Sequence, residues 1–155
     1  MTAEHADSGL AGHAGGQVII ARPALMIWAL VTGALLALTA VMAGAFGAHG
    51  LRDTVDARGL EVFEMAATYQ MYHALGLILV AALAGFGLSR KLLTGVAVFM
   101  LAGVVLFSGS LYALVLFQAK GIGLITPIGG LCFMLGWLLL VIAALTFNAD
   151  SKRIE

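Results

Sequence analysis

The segment Met65-Ala66-Ala67-Thr68-Tyr69-Gln70-Met71-Tyr72-His73 opens the second of the long apolar runs in this chain of 155 residues. It concentrates hydrogen-bonding side chains in an otherwise apolar protein. A polar side chain in hydrocarbon costs free energy unless it finds a partner, so it turns toward other helices. We therefore expect this segment to face inward, with the other spans packed around it.

The composition places the protein in a bilayer. The chain is 62% hydrophobic and 10% charged, whereas soluble domains are about 45–50% apolar and about 25% charged. Its eight basic and eight acidic residues balance, and without a basic tract they exclude nucleic acid as a partner. The expected partners are the lipid bilayer and either further copies of the chain or a larger membrane complex. The only cysteine, Cys132, excludes an internal disulfide and a multi-cysteine metal site.

Four apolar runs are long enough to span, since a spanning helix needs about 20 apolar residues. We predict an all-α fold, an integral membrane bundle of four transmembrane helices with a short amphipathic first connection. The transmembrane domain covers residues 23–147, between a disordered N-terminal tail at 1–22 and a C-terminal tail at 148–155. The predicted spans are about 23–48, 65–88, 92–117 and 125–147.

The first span begins at Arg22-Pro23, because proline suits the first turn of a helix. The rival interpretation is a cleaved leader, since Ala43-Gly44-Ala45 resembles a signal-peptidase site and the mature chain would begin at Phe46. Signal peptides have apolar regions of about 7–15 residues, shorter than this run. A mitochondrial targeting segment is excluded because no Lys or Arg precedes Arg22.

The connection at residues 49–64 holds half of the acidic residues. We interpret it as a helix broken near Gly59 that lies along the interface with solvated charges. The fourth span is expected to begin with Thr126 as the N-cap and Pro127 in the first helical position. The Lys and Arg residues that share a side with the termini outnumber those opposite, and the positive-inside rule then favours cytoplasmic termini. The first group is Arg22, Arg90, Lys91, Lys152 and Arg153, and the second is Arg52, Arg58 and Lys120.

Small residues recur at steps of three and four along two spans. This spacing puts them on one side of a helix, where another helix can approach closely. The predicted helix-packing residues are Gly33, Ala37, Ala40, Gly44 and Gly47 in the first span, and Gly129, Cys132 and Gly136 in the fourth.

The polar side chains of the second and third spans form a candidate buried cluster. At about 100° per residue, Tyr69, Gln70 and His73 share one sector of a helix, and Thr68 and Tyr72 form an adjoining pair. The cluster has two interpretations: interhelical hydrogen bonds that hold the bundle, or a small polar cavity that passes a substrate or protons. Its members are Thr68, Tyr69, Gln70, Tyr72, His73, Ser108, Ser110, Tyr112 and Thr126.

No pattern in the chain predicts catalysis, a cofactor or a metal site. The serines lack a G-x-S-x-G signature, and no Asp or Glu lies deep in a span. Haem ligation by His49 and His73 requires the same depth, yet His73 lies roughly 12 Å inside the edge of the second span. We therefore expect no enzyme activity, and a membrane enzyme or haem binder is the weakest alternative.

Four ordered motifs resemble one known family. They are Gly44-Ala45-Phe46-Gly47-Ala48-His49-Gly50-Leu51, then Phe63 with Tyr69-Gln70-Met71-Tyr72-His73, then Leu106-Phe107-Ser108-Gly109-Ser110-Leu111-Tyr112, and Ile125-Thr126-Pro127-Ile128-Gly129-Gly130. This pattern resembles the membrane family of YgdD and YwdK, the domain-of-unknown-function family numbered 423. The resemblance implies a small multi-pass protein of the bacterial inner membrane and supplies no reaction to transfer.

These observations favour a non-enzymatic helix-packing or accessory module of a membrane assembly. The alternative is a small carrier or proton-conducting module with a polar site between the second and third spans. The two differ in whether the polar side chains touch one another or line a water-filled gap.

Overall fold

The computed structural model describes residues 24–119 and 121–151, with the backbone alone for 148–151. The predictions for the tail at 1–22, for the start at Pro23, for Lys120 and for residues 152–155 lie outside this part. The elements are α1 (Ala24–Phe46), a π-helical turn (Gly47–Leu51), α2 (Ala57–Leu83), α3 (Arg90–Gly103), a second π-helical turn (Val104–Ser108), α4 (Gly109–Leu116), a short 3-10 turn (Ile122–Leu124) and α5 (Thr126–Ser151).

Four helical stretches are long and apolar enough to cross a membrane. They are Ala24–Leu51, Ala57–Leu83, Arg90–Leu116 and Ile122–Phe147, and no strand occurs in the described ranges. The third stretch joins α3 and α4 through the second π turn. The predicted all-α bundle of four spanning helices is confirmed.

Helix α2 begins earlier than the predicted span and is continuous through Gly59. Asp56 caps it, because its carboxylate accepts a hydrogen bond of 2.7 Å from the Gly59 backbone N–H. The predicted break near Gly59 is therefore wrong: the glycine lies in the first turn, where a backbone N–H needs such a partner. Arg58 and Glu61 form an ion pair of 3.3 Å on the exposed side of this turn, and such exposed pairs add little stability.

Thr126 lies in the first turn of α5 and does not cap it. The Ile125 carbonyl accepts the hydrogen bond from the Gly129 N–H, whereas the Thr126 hydroxyl bonds to Ser110 on α4. The predicted N-cap is corrected accordingly, because the hydroxyl is engaged by another helix. Pro127 follows within the first turn, where its missing N–H has no cost.

The bundle consists of two closely packed helix pairs, α1 with α2 and α3 with α5, and α2 also contacts α3 and α4. The largest fully buried side chains include Leu77 and Val80 on α2 and Leu93, Val96 and Met100 on α3. Helix α2 is the most buried of the spans, whereas the first and fourth expose most of their apolar side chains. The polar segment at residues 65–73 therefore lies on the central helix.

Candidate functional site

Gln70 is the centre of a polar network that joins three helices. Its side chain is 6% exposed. The amide nitrogen donates to the Leu36 carbonyl at 2.9 Å and to the Thr39 hydroxyl oxygen at 2.8 Å, both on α1. The amide oxygen accepts a hydrogen bond of 3.0 Å from the Tyr112 phenol on α4. Gln70 thus connects α2 to α1 and α4.

The Thr39 hydroxyl can serve Gln70 because its own proton is directed elsewhere. It donates to the carbonyls of Leu35 and Leu36 at 3.0 and 3.1 Å, within α1. Its oxygen is then free to accept from the Gln70 amide. Thr39 was not predicted from the sequence, because a threonine that bonds to its own helix gives no sign that it also bonds to another.

Both ring nitrogens of His73 have partners, Nδ1 within α2 and Nε2 on α5. Nδ1 lies 2.8 Å from the Tyr69 carbonyl, which can only accept. Nε2 lies 3.2 Å from the Trp137 indole N–H, which can only donate. These partners require a neutral ring with its proton on Nδ1. The ring is 4% exposed and stacks on Phe133 with centroids 3.4 Å apart and planes 9° apart.

Ser110 connects α4 to α5. Its hydroxyl donates to the Phe107 carbonyl at 2.9 Å and shares a hydrogen bond of 2.7 Å with the Thr126 hydroxyl. Ser108, at the end of the second π turn, is fully buried, and its hydroxyl has no partner within the described residues. The two serines, which the sequence presents as equivalent, therefore have different environments.

Three predicted members of the buried cluster are exposed. Thr68 lies on an exposed face of α2, Tyr72 is 57% exposed, and Tyr69 is 40% exposed. Their burial was predicted wrongly, because on a helix Thr68 and Tyr72, two positions from Gln70, point about 160° away from it, and Tyr69, one position away, points about 100° away. Turning Gln70 toward α1 therefore turns Thr68 and Tyr72 outward.

Most of the predicted small residues lie at helix contacts. A Cβ added at Gly33 would lie 2.8 Å from the Ala74 carbonyl oxygen, one at Gly129 would collide with the Phe107 backbone, and one at Gly136 would lie 3.3 Å from Met100. The remaining small residues are placed as follows: Ala40 is buried, Ala37 and Cys132 are half-buried, and Gly47 lies beside Phe63.

Gly44 is the exception among the predicted packing residues. A Cβ there would meet no atom within 4 Å, so the predicted contact is absent. Two further glycines, which were not predicted as packing residues, leave room for large side chains. A Cβ at Gly103 would collide with the Phe133 ring, and one at Gly76 would lie 2.7 Å from the Met100 sulfur.

A groove of about 790 Å³ opens on the surface of the bundle between α2 and α5. Its walls are predominantly aromatic and aliphatic. The rings of Tyr69 and Phe107 lie 4.8 Å apart at its edge, and His73 and Phe133 form its floor. The other lining residues are Tyr72, Leu75, Pro127, Gly130, Leu131, Met134 and Trp137. Within the described ranges, no three side chains of His, Cys, Asp or Glu are grouped as metal ligands would be.

Four apolar helices, a polar network between them and apolar side chains on the outer surface define a multi-pass membrane protein. The comparisons with known proteins agree. The model of a family of proteins of unknown function, DUF423, matches residues 43–130. The chain belongs to this family, as the four motifs predict.

The curated relatives are membrane proteins whose length this chain covers almost completely. A UPF0382 membrane protein of Staphylococcus saprophyticus is 50% identical over 113 residues, which are 73% of this chain and 92% of the relative. One from Staphylococcus aureus is 48% identical over 118 residues, 76% of this chain and 95% of the relative. The UPF0382 membrane protein YwdK of Bacillus subtilis is 45% identical over 118 residues, which are 76% of this chain and 96% of the relative. No solved structure matches the chain significantly.

Proposed function

We propose that this protein is a non-enzymatic accessory module of a bacterial inner-membrane assembly. The observation that carries the proposal is the direct contact between its buried polar side chains. Gln70, His73 and Ser110 each bond to a side chain on another helix. Their hydrogen-bonding capacity is largely used in holding the bundle together.

A carrier or proton-conducting module would use the same side chains differently. It would need polar atoms that face a water-filled gap between the second and third spans, near the middle of the membrane. Tyr112 instead lies within hydrogen-bonding distance of Gln70, which supports a structural use of these groups.

The proposed location in the inner membrane is supported by the helical form of the spans and the bacterial origin of the relatives. Spanning proteins of bacterial outer membranes are β-barrels. The proposed topology puts both termini in the cytoplasm, because Arg90 and Lys91 at the start of α3 share their side with the termini. Alkaline phosphatase fused to the C-terminus should then be inactive, and an active fusion would contradict this topology.

The accessory role is tested with purified protein in sealed vesicles that carry an internal pH dye. We expect a proton leak equal to that of empty vesicles, both for the wild type and for His73→Ala. A leak that depends on the protein and disappears with His73→Ala would replace the accessory role with a conducting one. Solute counterflow in the same vesicles extends the comparison to carriers.

A further inference from the structure

The groove between α2 and α5 lies within the depth of the membrane. Tyr69 and Tyr72 follow Met65, the first residue after the charged start of α2, by four and seven positions. At about 1.5 Å per residue, they lie roughly 6 Å and 10 Å inside the edge of the hydrocarbon. The groove therefore opens sideways into acyl chains, below the level of the lipid headgroups.

Two tyrosines whose phenols have no hydrogen-bond partner among the described residues are among the residues that line this groove. Both tyrosines border it, and neither phenol has a hydrogen-bond partner in the part of the chain that the structure describes, whereas Tyr112 does. Acyl chains offer no acceptor, and an unpaired polar group in hydrocarbon costs free energy. A ligand that carries hydrogen-bond acceptors would therefore be favoured in the groove, because the acyl chains at this depth supply none.

The shape of the groove is fixed by the packing beneath it. The Phe133 ring occupies the space left by Gly103 and supports the His73 ring. Gly129 brings α5 against the backbone of Phe107. Because Gly130 has no side chain, the space beside it stays open. Aromatic faces around a preformed space favour a flat ring, which can stack or meet ring edges.

We propose that this groove binds an isoprenoid quinone. The quinone ring is flat, lipid-soluble and has two carbonyl oxygens that accept hydrogen bonds from Tyr69 and Tyr72, and its tail extends into the bilayer. The volume of about 790 Å³ lies within the range of about 300–1,000 Å³ of small-molecule sites. An acyl chain would fill the groove and leave both phenols unpaired. The site is independent of the accessory role, which stands whether or not the groove binds quinone.

Trp137 provides a reporter inside the groove. The chain has two tryptophans, and Trp28 lies on α1 against the core. The Trp28→Phe variant, in which Trp137 is the remaining tryptophan, is placed in nanodiscs and titrated with decyl-benzoquinone, which quenches tryptophan fluorescence on contact. We expect saturable quenching of Trp137. The Trp137→Phe protein, in which Trp28 remains, should show only the linear quenching caused by quinone dissolved in the lipid.

Two variants test the contacts. Tyr69→Phe with Tyr72→Phe keeps both rings and removes both donors, and should raise the dissociation constant about tenfold or more. Gly130→Leu should abolish saturation by filling the groove. This variant should fold, because a Cβ at Gly130 meets only the Phe107 ring, at 3.9 Å. Gly44→Leu is the matched control for added volume, and Tyr112→Phe is the control for a lost phenol outside the groove.

Four results would overturn the proposal. Equal linear quenching of both tryptophans would show that there is no site. An unchanged dissociation constant after loss of the two phenols, or equally tight competition by decylbenzene, would show that the groove takes any apolar chain. A dimer that Gly130→Leu converts to a monomer would show that a second copy covers the groove.

Discussion

Replacing Gln70 with Leu should destabilise the bundle more than any other change of a single polar side chain. Leucine has a similar size and is favourable in hydrocarbon, so the substitution removes hydrogen bonds without leaving a large cavity. Three interhelical hydrogen bonds are lost, to the Leu36 carbonyl, the Thr39 hydroxyl and the Tyr112 phenol. The substitution leaves no unpaired donor on α1, because the Thr39 hydroxyl proton stays hydrogen-bonded to carbonyls of its own helix.

The magnitude follows from the number of bonds and from the donor left behind. Interhelical hydrogen bonds in membrane proteins contribute about 0.6 kcal/mol each on average, so three give about 2 kcal/mol. The Tyr112 phenol also loses its acceptor, and leaving a buried donor unpaired costs about 1–3 kcal/mol. Because Tyr112 is only half-buried, we expect the free energy of unfolding to fall by about 2–4 kcal/mol in total.

The assay is reversible unfolding in mixed micelles of a mild detergent and dodecyl sulfate, followed by circular dichroism. Gln70→Leu should unfold at a lower fraction of dodecyl sulfate. Adding Tyr112→Phe to it should cost less than the sum of the two single changes, since the stranded donor is removed. Thr68→Val is the matched control, because Thr68 is exposed on the same helix. Strict additivity, or wild-type stability of Gln70→Leu, would refute the network as described.

Other predictions concern single positions and use the same unfolding assay. Gly129→Leu should prevent or severely weaken folding, because its side chain would collide with the backbone of Phe107 in the second π turn. Gly44→Leu should unfold like the wild type, since a Cβ there meets no atom within 4 Å. Equal effects of the two substitutions would contradict the assigned contacts. Ser108→Ala should stabilise by about 1 kcal/mol, since it removes a buried hydroxyl without a partner. Ser110→Ala should destabilise by about 1 kcal/mol through loss of the bond to α5; the same sign for both serines would refute this distinction.

The spans could be predicted from the sequence because charge is absent from long runs, and hydrocarbon imposes that absence directly. The direction in which α2 faces could not be predicted from periodicity alone. Gln70 and Tyr72 are both polar and lie on opposite sides of the helix, so the pattern admits either. The number of hydrogen-bonding atoms predicts the direction better. An amide has more such atoms to satisfy than a phenol or a threonine hydroxyl, so the face that carries Gln70 is the one expected to turn inward.

The partners across helices were less predictable than the residues that need them. Trp137 is a single donor in an apolar run, and its contact with His73 depends on the rotation of α5. The regular spacing of small residues identified Gly33 but included Gly44 wrongly. It missed Gly103, because a gap filled by a ring from another helix is set by that ring, Phe133. Contacts of this kind follow from tertiary packing.

The two helix pairs explain why the polar side chains lie where they do. Within each pair, close packing at small residues provides the dispersion contact that replaces a hydrophobic drive, since lipid tails are as apolar as leucine. Two side-chain hydrogen bonds cross from α2 to the other pair: Trp137 on α5 donates to His73, and Tyr112 on α4, which continues the span of α3, donates to Gln70. These bonds depend on direction, so they fix the rotation of one pair against the other in a way that apolar contact does not. The groove lies at this junction, between α2 and α5, and its width therefore depends on the same two bonds.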